Sequence, residues 1–310
     1  MRLDDEPEST NIEDQRGQGG GQGFGGSDGG GGGMGGILGL IFAARGLGIG
    51  IPGIILIAVG YFLFFGGSGG NHAPASAPGQ SVGFQPNQVA PQAATGATAA
   101  TESQTDRFVR KVLHSTERTW TQIFVANGQT YQYPKLVFYS GEGTSACGAA
   151  QSAMGPFYCP NDRKVYLDES FFSELKNRFG VSGDFAAAYV IAHEIGHHVQ
   201  NLTGQMDRAQ RGGLPQEGAN GASVRTELQA DCYAGVWGNK NKAILDPGDV
   251  DQALKAATAI GDDTLQRAST GRVMPDNFTH GTSAQRSHWF RVGYESGDPS
   301  ACDTFGAATL

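Results

Sequence analysis

The sequence predicts an α+β domain over residues 105–310, and three observations support this fold class. Apolar residues recur at helical spacing between Phe108 and Phe124. Two short runs typical of strands follow, KLVFY at 135–139 and KVYL at 164–167, and helical patterns occupy most of the remainder. Strands followed mainly by helices indicate an α+β arrangement. A segment of roughly 200 residues is long enough for one domain with one core.

The region before this domain differs in composition. The chain has 49 glycines among 310 residues, and many of them lie in one run near the N-terminus. Residues 1–45 are therefore predicted to be a disordered, Gly-rich tail, since polar residues and glycine cannot offset the entropy cost of ordering. Residues 68–104, rich in Ala, Pro, Gln and Gly, are predicted to be a flexible linker.

An uncharged apolar segment, residues 46–67, separates the tail from the linker. About 20 apolar residues in a helix cross a hydrocarbon core of about 30 Å, so we predict a transmembrane helix. A cleaved signal peptide would start nearer the N-terminus, and a buried soluble helix would not lie between two low-complexity stretches. Arg2, Arg16 and Arg45 precede the segment, and no Lys or Arg follows it until Arg107. This bias predicts a cytoplasmic N-terminus and a C-terminal domain outside the cytoplasm.

The charge of the chain argues against one class of partner. The formal net charge is −8, from 22 basic and 30 acidic residues. The C-terminal domain contains no basic run, whereas a nucleic-acid binder gathers Lys and Arg on one face. We therefore expect no nucleic-acid partner.

The segment DFAAAYVIAHEIGHHVQNLTG, residues 184–204, carries the clearest chemical signal. It has the apolar stripe of a helix, formed by Ala188, Ala192, Ile195, Val199 and Leu202. His193 and His197 lie about 40° apart on that helix, so both imidazoles can reach one metal ion, with Glu194 beside them. The H-E-x-x-H pattern is typical of a zinc site in which the glutamate is the general base. His198 is rotated by about 100° from His197 and is predicted to lie behind the ligands or at the surface.

A zinc ion bound by two histidines needs a third protein ligand. The metzincin pattern is excluded, because Gln200 and Thr203 stand where that class has Gly and His. In RTELQADCYAGVW, Glu227 and Asp231 are four residues apart and share a helix face. We predict Glu227 as the third ligand and Asp231 as the acceptor of the free imidazole N–H of a ligand histidine. Glu217, in a Gly-rich stretch, is the alternative third ligand.

The four cysteines all lie in the predicted extracytoplasmic domain. Of the three possible pairings, we favour Cys147 with Cys159, which closes a short loop, and Cys232 with Cys302, which ties the C-terminus to the Glu227 helix. Reduced, buried cysteines in a cytosolic domain are the alternative. The absence of C-x-x-C spacing argues against a structural zinc cluster.

Five long blocks give the domain a resemblance to a known family. The chain resembles the neutral zinc metallopeptidases, membrane-anchored bacterial proteins of the YpfJ type. The resemblance is carried by GPFYCPNDRKVYLD at 155–168, AYVIAHEIGHHVQN at 188–201, SVRTELQADCYAGVW at 223–237, PGDVDQALKAATAIGDD at 247–263 and FTHGTSAQRSHWF at 278–290.

That resemblance implies a zincin-like peptidase domain of the gluzincin kind at the bacterial inner membrane, with one zinc ion and a periplasmic or otherwise extracytoplasmic active site. In a gluzincin, a downstream His or Tyr often stabilises the oxyanion, and His280 is a candidate. Its alternative role is a loop histidine before a helix capped by Thr282 and Gln285. Zincin clefts commonly bind a peptide beside an edge strand, for which we nominate 164–167, with Tyr166 as either a substrate contact or a packed aromatic.

The expected function is therefore a membrane-anchored zinc metallopeptidase that hydrolyses peptide bonds of peptide or protein substrates, with Glu194 as general base to a zinc-activated water. The alternative is a catalytically silent zincin-fold domain that binds or scaffolds proteins in the cell envelope. A third possibility, a zinc hydrolase acting on cell-wall peptides, differs only in its substrate.

Overall fold

The computed structural model describes residues 1–17 and 103–310. The predicted α+β class is confirmed within these ranges, which contain eight α-helices. The helices are α1 (Gln104–Ala126), α2 (Ser170–Asn177), α3 (Asp184–Leu202), α4 (Gln205–Arg211), α5 (Ala222–Lys240), α6 (Asp249–Ala259), α7 (Asp262–Thr270) and α8 (Ser283–Ser296).

The strands form a mixed four-stranded sheet and a separate hairpin. They are β1 (Ile12–Asp14), β2 (Lys135–Tyr139), β3 (Glu142–Ser145), β4 (Gly148–Gln151), β5 (Phe157–Cys159) and β6 (Lys164–Asp168). The sheet order is β1-β2-β6-β5, with β5 antiparallel to its neighbour and the other pairs parallel, and β3 pairs with β4 in the hairpin.

The predicted strands at 135–139 and 164–167 are confirmed, but the role assigned to the second is wrong. β6 pairs with β2 on one side and β5 on the other, so it has no free edge for a substrate. Its side chains from Val165 to Asp168 are buried, as expected of an inner strand. The strand at the sheet edge on this side is β5.

Helix α1 packs against α3 and α5 and begins at a defined cap. The Ser103 hydroxyl accepts a hydrogen bond from the Asp106 backbone N–H at 2.9 Å, which satisfies one of the free donors of the first turn. The buried face of α1 includes Val109, Leu113 and Trp120, all at most 1% exposed. This apolar stripe is the one that the sequence predicts.

Residues 1–17 lie against the domain, which corrects the prediction of a disordered tail for this part of the chain. β1 pairs in parallel with β2, with Glu13 opposite Val137. The preceding residues contact α1: Ser9 and Asn11 donate hydrogen bonds to the Glu117 carboxylate at 2.7 and 2.8 Å. The tail segment is ordered because its polar side chains find partners on the domain.

Arg16 secures the end of this segment. Its guanidinium forms ion pairs with Asp14, at 2.7 Å, with Asp106, at 2.9 Å, and with Glu169. Its Cζ atom lies 4.7 Å from the centre of the Phe138 ring, a cation–π contact. The Asp14 and Asp106 pairs raise the pKa of Arg16 far above its usual value, so the guanidinium stays charged.

The remaining N-terminal predictions fall outside the described residues. They are the rest of the tail, the transmembrane helix at 46–67 and most of the linker at 68–104. Within 1–17 and 103–310, no helix combines the length and the apolar character that a membrane span requires.

The two predicted cysteine pairings are confirmed. Cys147 is bonded to Cys159, and Cys232 to Cys302. The first bond ties the β3–β4 hairpin to β5 over a small second core on the outer face of the sheet, where Tyr139 and Tyr166 are buried. The second bond closes 70 residues between α5 and the C-terminal segment, a loop length for which a disulfide stabilises the folded state by roughly 4 kcal/mol.

Candidate metal centre

The candidate site lies where α3 and α5 pack against each other. Gly196, in the middle of the H-E-x-x-H motif, permits this close approach. A Cβ atom at this position would lie 2.9 Å from the backbone oxygen of Ala230 and 3.2 Å from the Ala230 side chain. The two helices therefore bring side chains separated by about thirty residues of sequence to one place.

Three predicted ligands meet there. The Nε2 atom of His193 lies 3.1 Å from Glu227 Oε2, and the Nε2 atom of His197 lies 3.5 Å from Glu227 Oε1. One potential ligand atom from each residue lies within 4.8 Å of the others, and no other such group of three or more occurs in the described ranges. Two imidazole nitrogens and a carboxylate oxygen at this spacing are the donor set of a His2Glu zinc site.

The opposite ring nitrogens of both histidines are already hydrogen-bonded. Asp231 Oδ1 lies 2.9 Å from His193 Nδ1, and Gln200 Oε1 lies 2.8 Å from His197 Nδ1. Both partners are acceptors, so each Nδ1 donates a hydrogen bond, and in the neutral form of each ring Nε2 has its lone pair available for a cation. The residues present therefore fit a divalent metal ion, and no ion is needed to orient them.

Asp231 is the centre of a fully buried polar network. Besides His193, it accepts hydrogen bonds from the Tyr189 hydroxyl at 2.5 Å and from Arg286 Nε at 2.8 Å and Nη2 at 2.9 Å. Burial raises the pKa of Asp231, but Arg286 and His193 outweigh it and lower the pKa to about 2. A carboxylate that stays ionised and saturated with donors fixes the ring of His193 rigidly.

The carboxylates around the ligand nitrogens favour a positive charge there. Burial lowers the pKa of His193, yet the Asp231 and Glu227 carboxylates outweigh it and raise the pKa to about 10. Burial raises the pKa of Glu227, but the charges of His197 and His280 and its hydrogen bonds lower it well below the usual value. The same carboxylates that stabilise a proton on His193 would stabilise a metal ion at the ring nitrogens.

Glu194 borders the cleft next to the ligand group. Its side chain is 7% exposed, and burial raises its pKa above the ordinary value. A carboxyl group with a raised pKa beside a metal site is suited to accept and then return a proton near neutral pH.

His280 faces the same cleft from the loop before α8. Its Nδ1 atom lies 3.2 Å from Asp262 Oδ1, and the other Asp262 oxygen accepts the backbone N–H groups of Thr279, His280 and Gly281 at 2.7 to 3.0 Å. Burial lowers the pKa of His280, but Glu227 and Asp262 outweigh it and raise the pKa. With Nδ1 bonded to Asp262, Nε2 is the ring nitrogen left for the cleft. The predicted capping box of Thr282 and Gln285 is present as well.

The structure sets three other predicted residues apart from the ligand group. His198 is completely buried, and burial lowers its pKa to about 4, so it has no part in the metal centre. Tyr166 is 1% exposed, stacks on Phe157 and donates its hydroxyl to Asp162 at 2.8 Å, so of its two predicted roles it has that of a packed aromatic. Glu217 lies outside the group of potential ligands.

A cleft of about 520 Å³ opens beside the ligands. Its walls are mainly apolar, and they come from the segment around β5, from α2 and from the α6–α7 region. The large apolar lining residues include Met154, Phe157, Phe171, Phe179, Ile260 and Leu265.

Sequence reasoning missed four residues that support the site: Tyr189, Gln200, Arg286 and Asp262. A lone arginine or glutamine in a helix usually lies at the surface, so no local pattern distinguishes Arg286 or Gln200. Tyr189 gives a weak signal, because it lies one turn before His193 on the same helix face.

The fold and the site together define a class of protein, an α+β domain in which an H-E-x-x-H helix and a glutamate from a second helix form a potential metal-binding group. The family described as "Putative neutral zinc metallopeptidase" matches residues 1–305, and the chain belongs to this family. The uncharacterized protein YpfJ of Escherichia coli K12 is 44% identical over 315 residues, which span 99% of each chain. An uncharacterized protein of Mycobacterium bovis is 43% identical over 249 residues, which span 75% of this chain and 84% of that one. No solved structure matches significantly.

Proposed function

We propose that the chain is a zinc-dependent peptidase with a zincin-like domain of the gluzincin kind. The observation that carries the proposal is the group of His193, His197 and Glu227 on two packed helices, with Glu194 beside it. The orientation of both imidazoles by Asp231 and Gln200 supports a preformed site.

Glu194 is the proposed general base. Zinc, when bound, would supply a Lewis acid that polarises the scissile carbonyl and activates a water molecule. Glu194 accepts the proton from the attacking water and passes it to the leaving amine. The raised pKa of its buried carboxyl group supports both transfers.

His280 is the proposed donor to the developing negative charge. Glu227 and Asp262 favour the protonated imidazolium form of His280, in which Nδ1 bonds to Asp262 and Nε2 can donate a hydrogen bond to the carbonyl oxygen of the substrate as charge develops there. The three backbone N–H groups that Asp262 accepts from residues 279–281 keep this loop in place.

The proposed substrate is an extended peptide lying along β5 in place of the nominated β6. β5 is an edge strand of the sheet, and Phe157 and Tyr158 line the cleft that contains the ligands. Backbone hydrogen bonds to an edge strand bind peptides with little dependence on sequence. The apolar walls of the cleft favour large apolar side chains near the scissile bond.

Hydrolysis of an unfolded protein tests this function. We expect the full-length chain in detergent to cleave casein at internal bonds, and mass spectrometry of the products to give new amino termini next to large apolar residues. Chelation should abolish cleavage and added zinc should restore it. A protein that binds zinc and casein but yields no new termini would support the scaffold alternative.

For the location, we propose that the domain and residues 1–17 lie on the same side of the membrane, outside the cytoplasm. The pairing of β1 with β2 supports a common compartment, because hydrogen-bonded strands cannot be separated by a bilayer. The two disulfides support an oxidising compartment. This proposal replaces the predicted cytoplasmic N-terminus, which would place β1 and β2 on opposite sides of the bilayer.

Two epitope tags test this topology. One is inserted after Gly30, ahead of the apolar segment, and one follows Leu310. We expect antibodies added to intact spheroplasts to label both tags, and a cytoplasmic marker to stay unlabelled. Labelling of the C-terminal tag alone would restore the single crossing with a cytoplasmic N-terminus.

A further inference from the structure

The edge strand β5 is connected to the metal helix α3 through the Tyr158 hydroxyl, and Asn201 Nδ2 also donates a longer hydrogen bond, at 3.2 Å, to the Pro160 carbonyl oxygen just after the strand. The Tyr158 hydroxyl lies 3.0 Å from His198 Nδ1 and accepts a hydrogen bond from Asn201 Nδ2 at 2.8 Å. Both partners are on α3, and His198 directly follows the ligand His197. Tyr158 is 8% exposed, so water has little access to these bonds.

The donors and acceptors fix the direction of this chain of hydrogen bonds. The Gln132 carbonyl oxygen can only accept, so His198 Nε2, at 2.7 Å from it, donates. His198 Nδ1 then carries a lone pair and accepts from the Tyr158 hydroxyl. The hydroxyl oxygen in turn accepts from the Asn201 amide. A single arrangement of protons therefore satisfies all four groups in this series of hydrogen bonds.

The opposite face of β5 is anchored to other parts of the structure. Phe157 stacks on Tyr166 of β6 with ring centres 5.0 Å apart, and Cys159 is bonded to Cys147 near the β3–β4 hairpin. These contacts keep β5 in the sheet. The Tyr158 hydroxyl has a different effect, since it sets the position of β5 relative to the helix that carries the metal ligands.

We propose that Tyr158 is a positioning residue for substrate. Its hydroxyl holds β5 beside α3 so that a peptide paired with β5 has its scissile bond next to His193, Glu194 and His197. This inference rests on the proposed peptidase function. It predicts that loss of the Tyr158 hydroxyl raises KM for substrates long enough to lie along β5. The KM of substrates confined to the metal centre should not change.

Substitution Tyr158→Phe removes the hydroxyl and keeps the ring. It leaves His198 Nδ1 and the Asn201 amide without their shared partner. The test uses a ten-residue peptide that the wild-type chain cleaves and a four-residue peptide trimmed around the same bond. We expect KM for the ten-residue peptide to rise about tenfold, in line with one lost buried hydrogen bond. The kcat of both peptides, the KM of the short peptide and the zinc content should stay within about twofold of wild type.

Tyr131→Phe is the matched control. The Tyr131 ring packs edge-on against the same His198 ring, with centres 5.7 Å apart, and its buried hydroxyl has no hydrogen-bond partner among the described residues. We expect this variant to match wild type with both peptides. Equal KM changes for the two peptides in Tyr158→Phe, or no change in either, would overturn the proposal.

A binding measurement separates failure of this proposal from failure of the proposed function. If the wild-type chain cleaves no peptide, the peptidase assignment fails. Fluorescein-labelled unfolded casein then serves as the probe, and its affinity is measured by anisotropy. Weaker binding in Tyr158→Phe than in Tyr131→Phe would support the positioning role, and equal binding would overturn it.

Discussion

Replacing Glu194 with Gln is expected to lower kcat for casein-derived peptides by about 10² to 10⁴ while the chain still binds zinc. The substitution keeps the size of the side chain and its ability to hydrogen-bond, but it removes the group that can take a proton. The surroundings of Glu194 explain why no other group would replace it. His193 and His197 are committed to the ligand group, and Asp231 is saturated by Tyr189 and Arg286.

Glu217→Gln is the matched control for this prediction. It makes the same chemical change at a half-buried glutamate of the loop before α5 that lies outside the ligand group. Its kcat should equal that of wild type. If Glu194→Gln also keeps near-normal turnover with a full complement of zinc, Glu194 is not the base and the proposed mechanism is wrong.

A graded loss of zinc is expected across two variants. His197→Ala removes a ligand and should weaken zinc binding by more than about 100-fold. Asp231→Asn keeps every ligand but replaces the carboxylate that orients His193, and should weaken binding by about 10- to 100-fold. Elemental analysis after dialysis against a weak chelator, together with competition titrations, measures both effects.

His288→Ala is the control for that series. His288 is exposed on α8, away from the ligand group. Its zinc affinity should match wild type. Equal zinc affinity in His197→Ala and wild type would place the metal elsewhere on the chain.

The sequence predicts the parts of the site that depend on local periodicity. His193 and His197 are one helical turn apart, and Glu227 and Asp231 are another such pair, so the helical repeat alone places each pair on one face. A local pattern, Thr282 followed three residues later by Gln285, likewise predicts the cap of α8. The meeting of the two pairs depends on the contact at Gly196, which a repeat within one helix does not reveal.

The order of residues 1–17 could not be predicted from local sequence. This segment contains no apolar run, and its strand is three residues long. It is held by contacts to residues about ninety or more positions away, such as Arg16 with Asp106 and Ser9 with Glu117. The composition of the segment takes no account of its contacts with the rest of the domain, so composition alone predicts that the segment is disordered. The same limitation explains why β6 was expected at an edge, because the partners of a strand are set by the topology of the sheet.

The side chains that hold the site residues in position also depend on contacts between distant parts of the sequence. Arg286 lies 55 residues from Asp231 in sequence, and Asp262 lies 18 residues from His280. Removing only one member of the buried Asp231–Arg286 pair would leave an uncompensated charge in the interior, which explains why both are present together. Neither partner has a sequence pattern that identifies the other.

The most direct test of a zinc peptidase centred on His193, His197 and Glu227 is a zinc titration of the metal-free chain with peptide cleavage as the readout. The metal-free protein should be inactive. Activity should rise in proportion to added zinc and reach its maximum at about one equivalent per chain, as one His2Glu site requires. Cleavage that persists at full rate in the metal-free protein would contradict the account.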